Sequence, residues 1–148
     1  MAEVLLFSAA RAQLIAREVL PRLEKGEVVV LDRFYDSTTA YQGYGRESLP
    51  IDEIRRINKI ASLKRVPDIT FYLRISLEEA EARRSEQKPD RMEQAGNDFY
   101  RKVISGFDRL AQGEARFVTL EASDGKERLH EEIWNRVSST LRNHGLIK

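Results

Sequence analysis

The sequence predicts an α/β protein built on a mainly parallel sheet flanked by helices, and three observations lead there. Short apolar runs at 28–32, 69–75 and 116–121 alternate with stretches whose apolar residues recur at helical spacing. The first run, Val28-Val29-Val30-Leu31, is continuous and ends in Asp32, the pattern of a strand buried on both faces. No repeat, low-complexity segment or linker divides the 148 residues, which therefore read as a single domain, 1–148.

In chain order, Val4 to Leu23 places apolar side chains at Phe7, Ala10, Leu14, Ile15, Leu20 and Leu23, which predicts an amphipathic helix. Pro21 is expected to bend its last turn and Gly26 to end it. The strand at 28–32 follows. Asp36 to Ser48, with Gly43 and Gly45, reads as a polar, turn-rich loop. Pro50 opens a helix with Ile51, Ile54, Ile57 and Ala61 on one stripe. Ile69 to Ile75 is the second strand, Leu77 to Arg84 is helical, and Ser85 to Gly96 lacks apolar periodicity and reads as a mobile polar loop. Phe99, Val103, Phe107 and Leu110 mark a helix that closes near Gly113, and Arg116 to Glu121 is the third strand. Ser123 or Asp124 is placed to cap a last helix that turns Leu129, Ile133, Val137 and Leu141 inward and ends at Gly145.

Composition narrows the function. Twenty-five Lys and Arg against 24 Asp and Glu, with 41% hydrophobic and 33% charged residues, is the balance of a globular protein and gives no basic excess for a nucleic-acid coat. The absence of cysteine excludes a disulfide scaffold, a zinc finger, an iron–sulfur site and a thiol nucleophile. Only His130 and His144 are present, which excludes a multi-histidine metal site; with Trp134 they read as structural or surface residues of the last helix. No apolar run approaches the ~20 residues of a membrane span, and Met1-Ala2-Glu3 lacks the basic start of a signal peptide. A cytoplasmic protein with no membrane or nucleic-acid partner is expected.

Ligands in open α/β sheets sit beyond the carboxyl ends of the strands, so the residues after Leu31 carry the most information. Asp32 at a strand end can hold a magnesium ion through its water shell, and Arg33 beside it can clamp a phosphate bidentately. Taken alone, such a dipeptide is more often an ion pair that fixes a loop. Phe7 and Arg11 stand four apart on one helix face, spaced to stack a planar base and bond its edge. On spacing alone, Phe7 reads more simply as core and Arg11 as a surface charge. Arg83, Arg84, Lys88 and Arg91 suit a lid that closes over phosphates, although Glu86, Asp90 and Glu93 dilute their charge and a solvated connection accounts for them equally well.

Taken together, these clusters resemble the bacterial thymidylate kinases, from residue 2 to about 140. Ala2 to Leu14 is similar to the helix that holds the thymine base in that family, and Asp32-Arg33 through Ala40-Tyr41-Gln42-Gly43 matches its Asp-Arg-(x)3-Ser-(x)2-Ala-Tyr-Gln-Gly signature without a gap. Pro67 to Leu73 resembles its fourth strand, and Asp90-Arg91-Met92-Glu93 with Asn97-Asp98-Phe99-Tyr100 its lid and the helix after it. The resemblance implies a P-loop NTPase-like fold of the nucleoside monophosphate kinase kind and the transfer of phosphate from ATP to dTMP, with Mg2+, in nucleotide biosynthesis. It implies that Phe7 stacks the thymine, Arg11 bonds its edge, and Arg33 clamps the acceptor phosphate beside Asp32. It also implies that Thr38 and Gln42 contact the base, Tyr41 packs near the sugar, and Arg84 and Arg91 meet the transferred phosphates. Asp32, Arg33 and Arg91 are the residues it makes catalytic. A homodimer is implied too, with the first helix and 51–61 as candidate faces; thymine preference over uracil comes from the resemblance alone.

The sequence departs from that family in one respect. The phosphate-cradling pattern G-x-x-x-x-G-K-[ST] does not occur among its eight glycines, so the chain looks like the C-terminal two-thirds of such an enzyme with the first strands absent. The lid is also thin, with Glu86 where others have an arginine. Turnover is therefore expected to be absent or very slow, and a dTMP-binding remnant without kinase activity, or another deoxynucleotide or deoxynucleoside kinase, stands as the alternative. In that family the missing strand lies between 28–32 and 69–75. These are expected either to pair directly in a rearranged sheet or to be bridged by another chain in a tight oligomer.

Overall fold

A helix begins at Ala2 and runs through α1 (Ala2–Leu14), a π turn (Ile15–Val19) and α2 (Leu20–Glu24) in the computed structural model, which describes residues 1–85 and 96–147. The π turn lies just ahead of Pro21. Leu20 N–H reaches back to the Ile15 carbonyl, so the ladder changes register where the proline removes a donor, rather than bending in the last turn. Gly26, at φ +76°, takes the left-handed position that ends the helix, with Gly26 N–H on the Leu23 carbonyl and Glu27 N–H on that of Arg22.

The inward face of this helix is not the expected one. Val4, Ser8, Ile15 and Val19 are buried, whereas Phe7, Ala10, Leu14 and Leu23 are exposed. Apolar residues surround α1 almost completely, so their spacing does not select a face and tertiary packing does.

The described residues fall into two compact units, Met1–Val66 with Arg101–Phe107, and Pro67–Tyr100 with Asp108–Lys148. In the first unit, the run 28–32 enters no ladder among the described residues, and Val30 is 89% exposed. This corrects the expected strand and, of the two outcomes expected for it, the direct pairing with 69–75: a strand exists only through a neighbour's hydrogen bonds, and an apolar run without one stays irregular. The expected loop after it is helical instead, as α3 (Tyr35–Thr38) followed by a second π turn (Thr39–Gly45). Hydroxyl and amide side chains that favour turns locally are held here by partners on other helices. α4 (Ile51–Ala61) keeps the expected stripe, burying Ile54 and Ala61 with Ile51 and Ile57 half-buried. Gly43 allows the π turn to approach α4, since a Cβ there would lie 2.8 Å from Ile51 Cδ1. Val4, Ile15, Val19, Ala40, Ile54, Ala61 and Val103 form the core of this unit.

In the second unit β1 (Thr70–Arg74) pairs in parallel with β2 (Phe117–Glu121), in register from Thr70 opposite Phe117 to Arg74 opposite Glu121. α5 (Leu77–Ser85) and α6 (Gly96–Gly113) lie between the strands in sequence, and α7 (Lys126–Asn143) follows β2. Tyr72, Phe99, Leu110 and Leu120 are buried. The start of α7 corrects another expectation: Gly125 occupies the cap position with no side-chain bond, and Asp124 pairs with Arg128 at 3.6 Å. Its expected inner residues Leu129, Ile133, Val137 and Leu141 are half-buried, and Gly145 ends the helix as expected.

Candidate functional site

Arg11 extends from α1 toward α3 and α4. Its Nη2 donates to Thr38 Oγ1 at 2.6 Å and its Nη1 to Asn58 Oδ1 at 3.1 Å, while the guanidinium carbon lies 5.6 Å from the Phe34 ring centroid. Burial pulls the Arg11 guanidinium below its ordinary pKa, and the negative charge of Asp36 works against that shift. Phe7, one turn earlier on α1, is 50% exposed. The simple reading of a core phenylalanine and a surface arginine is thus reversed: the ring faces outward and the cation is drawn in.

Thr38 is buried. Asn58, which sequence reasoning missed, is 3% exposed and donates through Nδ2 to the Tyr35 carbonyl at 3.1 Å and to Thr39 Oγ1 at 2.9 Å. Its signal was present: a polar side chain stands between Ile54 and Ala61 on the buried stripe of α4, where an amide needs partners.

Arg33 sits at φ +69°, a left-handed conformation for a side-chain-bearing residue. Its Nε donates to Ser37 Oγ at 3.0 Å and its guanidinium lies 4.6 Å from the Tyr41 ring centroid. Neither of its Nη groups has a hydrogen-bond partner among the described residues. Tyr41 in turn packs edge-on against Phe107 at 6.2 Å. Gln42 is buried and donates to Glu3 Oε2 at 3.2 Å, the same oxygen that pairs with Arg46 Nε at 3.2 Å. Glu3 was not foreseen either; only the fold brings it to Gln42.

The structure thus joins Arg11 with Thr38 in one cluster and Arg33 with Tyr41 in another, with Gln42 held separately by Glu3. Asp32 is exposed, adjacent to Arg33 in sequence. Among the described residues no group of three or more His, Cys, Asp or Glu is arranged to hold a metal. Of the lid cations, Arg83 in α5 donates to the Ala122 carbonyl at 3.0 Å; Arg84 lies on the same helix, and its side chain, with Lys88 and Arg91, falls outside the described residues.

A buried polar cluster beside an exposed ring on one helix, followed by an Asp-Arg pair, is a specific combination, and comparison with known proteins decides what it belongs to. The family model for thymidylate kinase matches residues 1–133. The chain belongs to the thymidylate kinase family. A thymidylate kinase of Chlorobium limicola is 45% identical over 144 residues, covering 88% of this chain and 64% of that protein. One of Chlorobaculum tepidum is 40% identical over 148 residues, covering 93% of this chain and 69% of its own length. One of Thermoanaerobacter pseudethanolicus is 39% identical over 140 residues, with 94% and 68% covered. The chain therefore spans about two-thirds of the length of the thymidylate kinases it matches. Family membership carries the P-loop NTPase fold class, of which this chain shows the parallel pair β1–β2 with helices around it. No helix among the described residues is long and apolar enough to cross a membrane.

Proposed function

We propose that this chain forms the acceptor side of a thymidylate kinase, holding dTMP for phosphorylation by ATP to dTDP. The observation that carries the reading is the half-buried Arg11 bonded to Thr38, one helical turn from the exposed Phe7 ring. In this reading Phe7 stacks the thymine and Arg11 bonds its edge, with Thr38 and Gln42 beside the base and Tyr41 beside the sugar. Arg33, whose Nη groups have no hydrogen-bond partner among the described residues, clamps the acceptor phosphate, and Arg84 and Arg91 meet the phosphates in transfer. Phosphoryl transfer depends mostly on positioning and charge neutralisation, which suits a site built from arginines.

Of the residues assigned to this site, Asp32 is the one that fits a magnesium ion. Asp32 offers a single exposed carboxylate, and Mg2+ is commonly held by one or two carboxylates with water and nucleotide phosphates completing its shell. There the ion would neutralise phosphate charge. The glycine-rich loop pattern is not among these 148 residues, so the donor side is the weaker half and turnover by this chain is slow or absent. A homodimer belongs to the same reading.

Calorimetric titration with dTMP, then with ATP and Mg2+, tests it. Binding of dTMP that Phe7→Ala abolishes, with no ATP signal, supports an acceptor half standing without the donor half. Absence of dTMP binding refutes the reading, and tighter binding of another deoxynucleotide reassigns the substrate.

A further inference from the structure

We infer that Asn58 is a positioning residue: it pins the Arg11 guanidinium, a donor by its own chemistry, beside Thr38, so that the donors left over meet a planar ligand edge carrying a carbonyl acceptor better than one carrying an amino group. The inference rests on the acceptor-site reading above and deepens it by naming the residue that holds Arg11 in place.

The orientation of the Asn58 amide follows from its neighbours. Oδ1 faces an Arg11 N–H, which cannot accept, and Nδ2 faces the Tyr35 carbonyl, which cannot donate. Flipping the amide would break both bonds. Thr39 locks it further: its Oγ1 accepts from Asn58 Nδ2 at 2.9 Å and donates to the Tyr35 carbonyl at 3.4 Å. With Oδ1 pinned, Arg11 Nη1 is held, and Nη2 is aimed at Thr38 Oγ1. Thr38 accepts that bond and so keeps its own hydrogen for another partner. Of the five guanidinium N–H bonds, two are engaged and the rest have no partner among the described residues.

The unused capacity around the guanidinium is therefore dominated by donors. A carbonyl edge satisfies it, whereas an amino edge sets donor against donor and leaves groups unpaired on both sides, the kind of mismatch that gives strong discrimination. Asn58 acts through Arg11 and need not touch the ligand.

The test is titration of the full 148-residue chain with dTMP and with dCMP, which carries an amino group at the same ring position as the thymine carbonyl. The chain should prefer dTMP by about a hundredfold or more. Asn58→Ala should weaken dTMP binding roughly tenfold to a hundredfold, the cost of a lost bond to a charged group, with dCMP changed much less. Thr39→Val, which removes one anchor of the amide and leaves Asn58 in place, should move both affinities the same way to a smaller degree. It decides the matter if Asn58→Ala fails to fold. Asn58→Ala combined with Arg11→Ala should bind no worse than Arg11→Ala alone.

A folded Asn58→Ala chain with both affinities unchanged or equally weakened, or full additivity with Arg11→Ala, overturns the inference. If the unaltered chain binds neither nucleotide, the acceptor-site reading fails and Asn58 is judged without ligand by 15N NMR of the Arg11 guanidinium. Separate Nη signals that merge in the Asn58 or Thr39 variant support it, and unchanged spectra overturn it.

Discussion

Tyr72 lies buried in β1 and its hydroxyl donates to Asp108 Oδ1 at 3.4 Å, an oxygen that also pairs with Arg74 Nε at 3.3 Å. Burial, and after it the Asp108 charge, push the phenol well above its ordinary pKa. The unfolded chain loses this proton near pH 10 while the folded chain keeps it, so stability is intact below that point and falls as pH rises further. Denaturant titration across alkaline pH should show that fall, and Tyr72→Phe should flatten it; an unchanged slope would show that the phenol is not its source. Gly106 gives a second expectation, because a Cβ there would lie 2.7 Å from Tyr44 Cδ2. Gly106→Ala should destabilise by about 1–3 kcal/mol through overpacking, read as a lowered denaturation midpoint. Single residues were also where the sequence was least legible. Phe7, Arg11, Arg33 and Gln42 were drawn together only by the family resemblance, since spacing alone favoured a core ring and a surface charge, and Arg11's partner Asn58 lies 47 positions away and Gln42's partner Glu3 lies 39 away. No local pattern brings such residues together.

Elements follow the sequence where one force acts alone. α4 was readable because its apolar stripe, its opening proline and its burial all agree. β1 and β2 were readable as apolar runs, and their mutual pairing supplies the hydrogen bonds that make them strands. The run at 28–32 has the same composition without that pairing, which composition cannot reveal. The difference can be measured: Val30→Lys should change stability by no more than about 0.5 kcal/mol, as at other exposed positions. Ile54→Ala, at a fully buried position of α4, should cost about 2–5 kcal/mol. Equal costs would mean that Val30 is covered in solution. The segment after Arg33 went unread for the opposite reason, since its turn-forming residues became helical once Asn58 and Arg11 took up their side chains and the Tyr35 carbonyl.

At the scale of the whole chain, family membership was legible from one ungapped signature, whereas the shape of the sheet was not, because it depends on pairing rather than on residue type. Leu5, Leu6 and Leu14 of α1 are exposed, and the homodimer of the proposal would give them cover. Sedimentation should therefore give a mass approaching twice 17.1 kDa at raised concentration, and Leu6→Lys should return it toward the monomer. A monomer at all concentrations would remove the homodimer from the proposal. The backbone at Arg33 sets a different tension. A side-chain-bearing residue at φ +69° carries a conformational cost of about 1–2 kcal/mol that glycine would not. Under selection for thermal endurance alone, a population of variants should drift toward glycine or asparagine at this position. Under selection for nucleotide retention the arginine should persist, so the residue found at position 33 after many generations would record which of the two demands the lineage had been under.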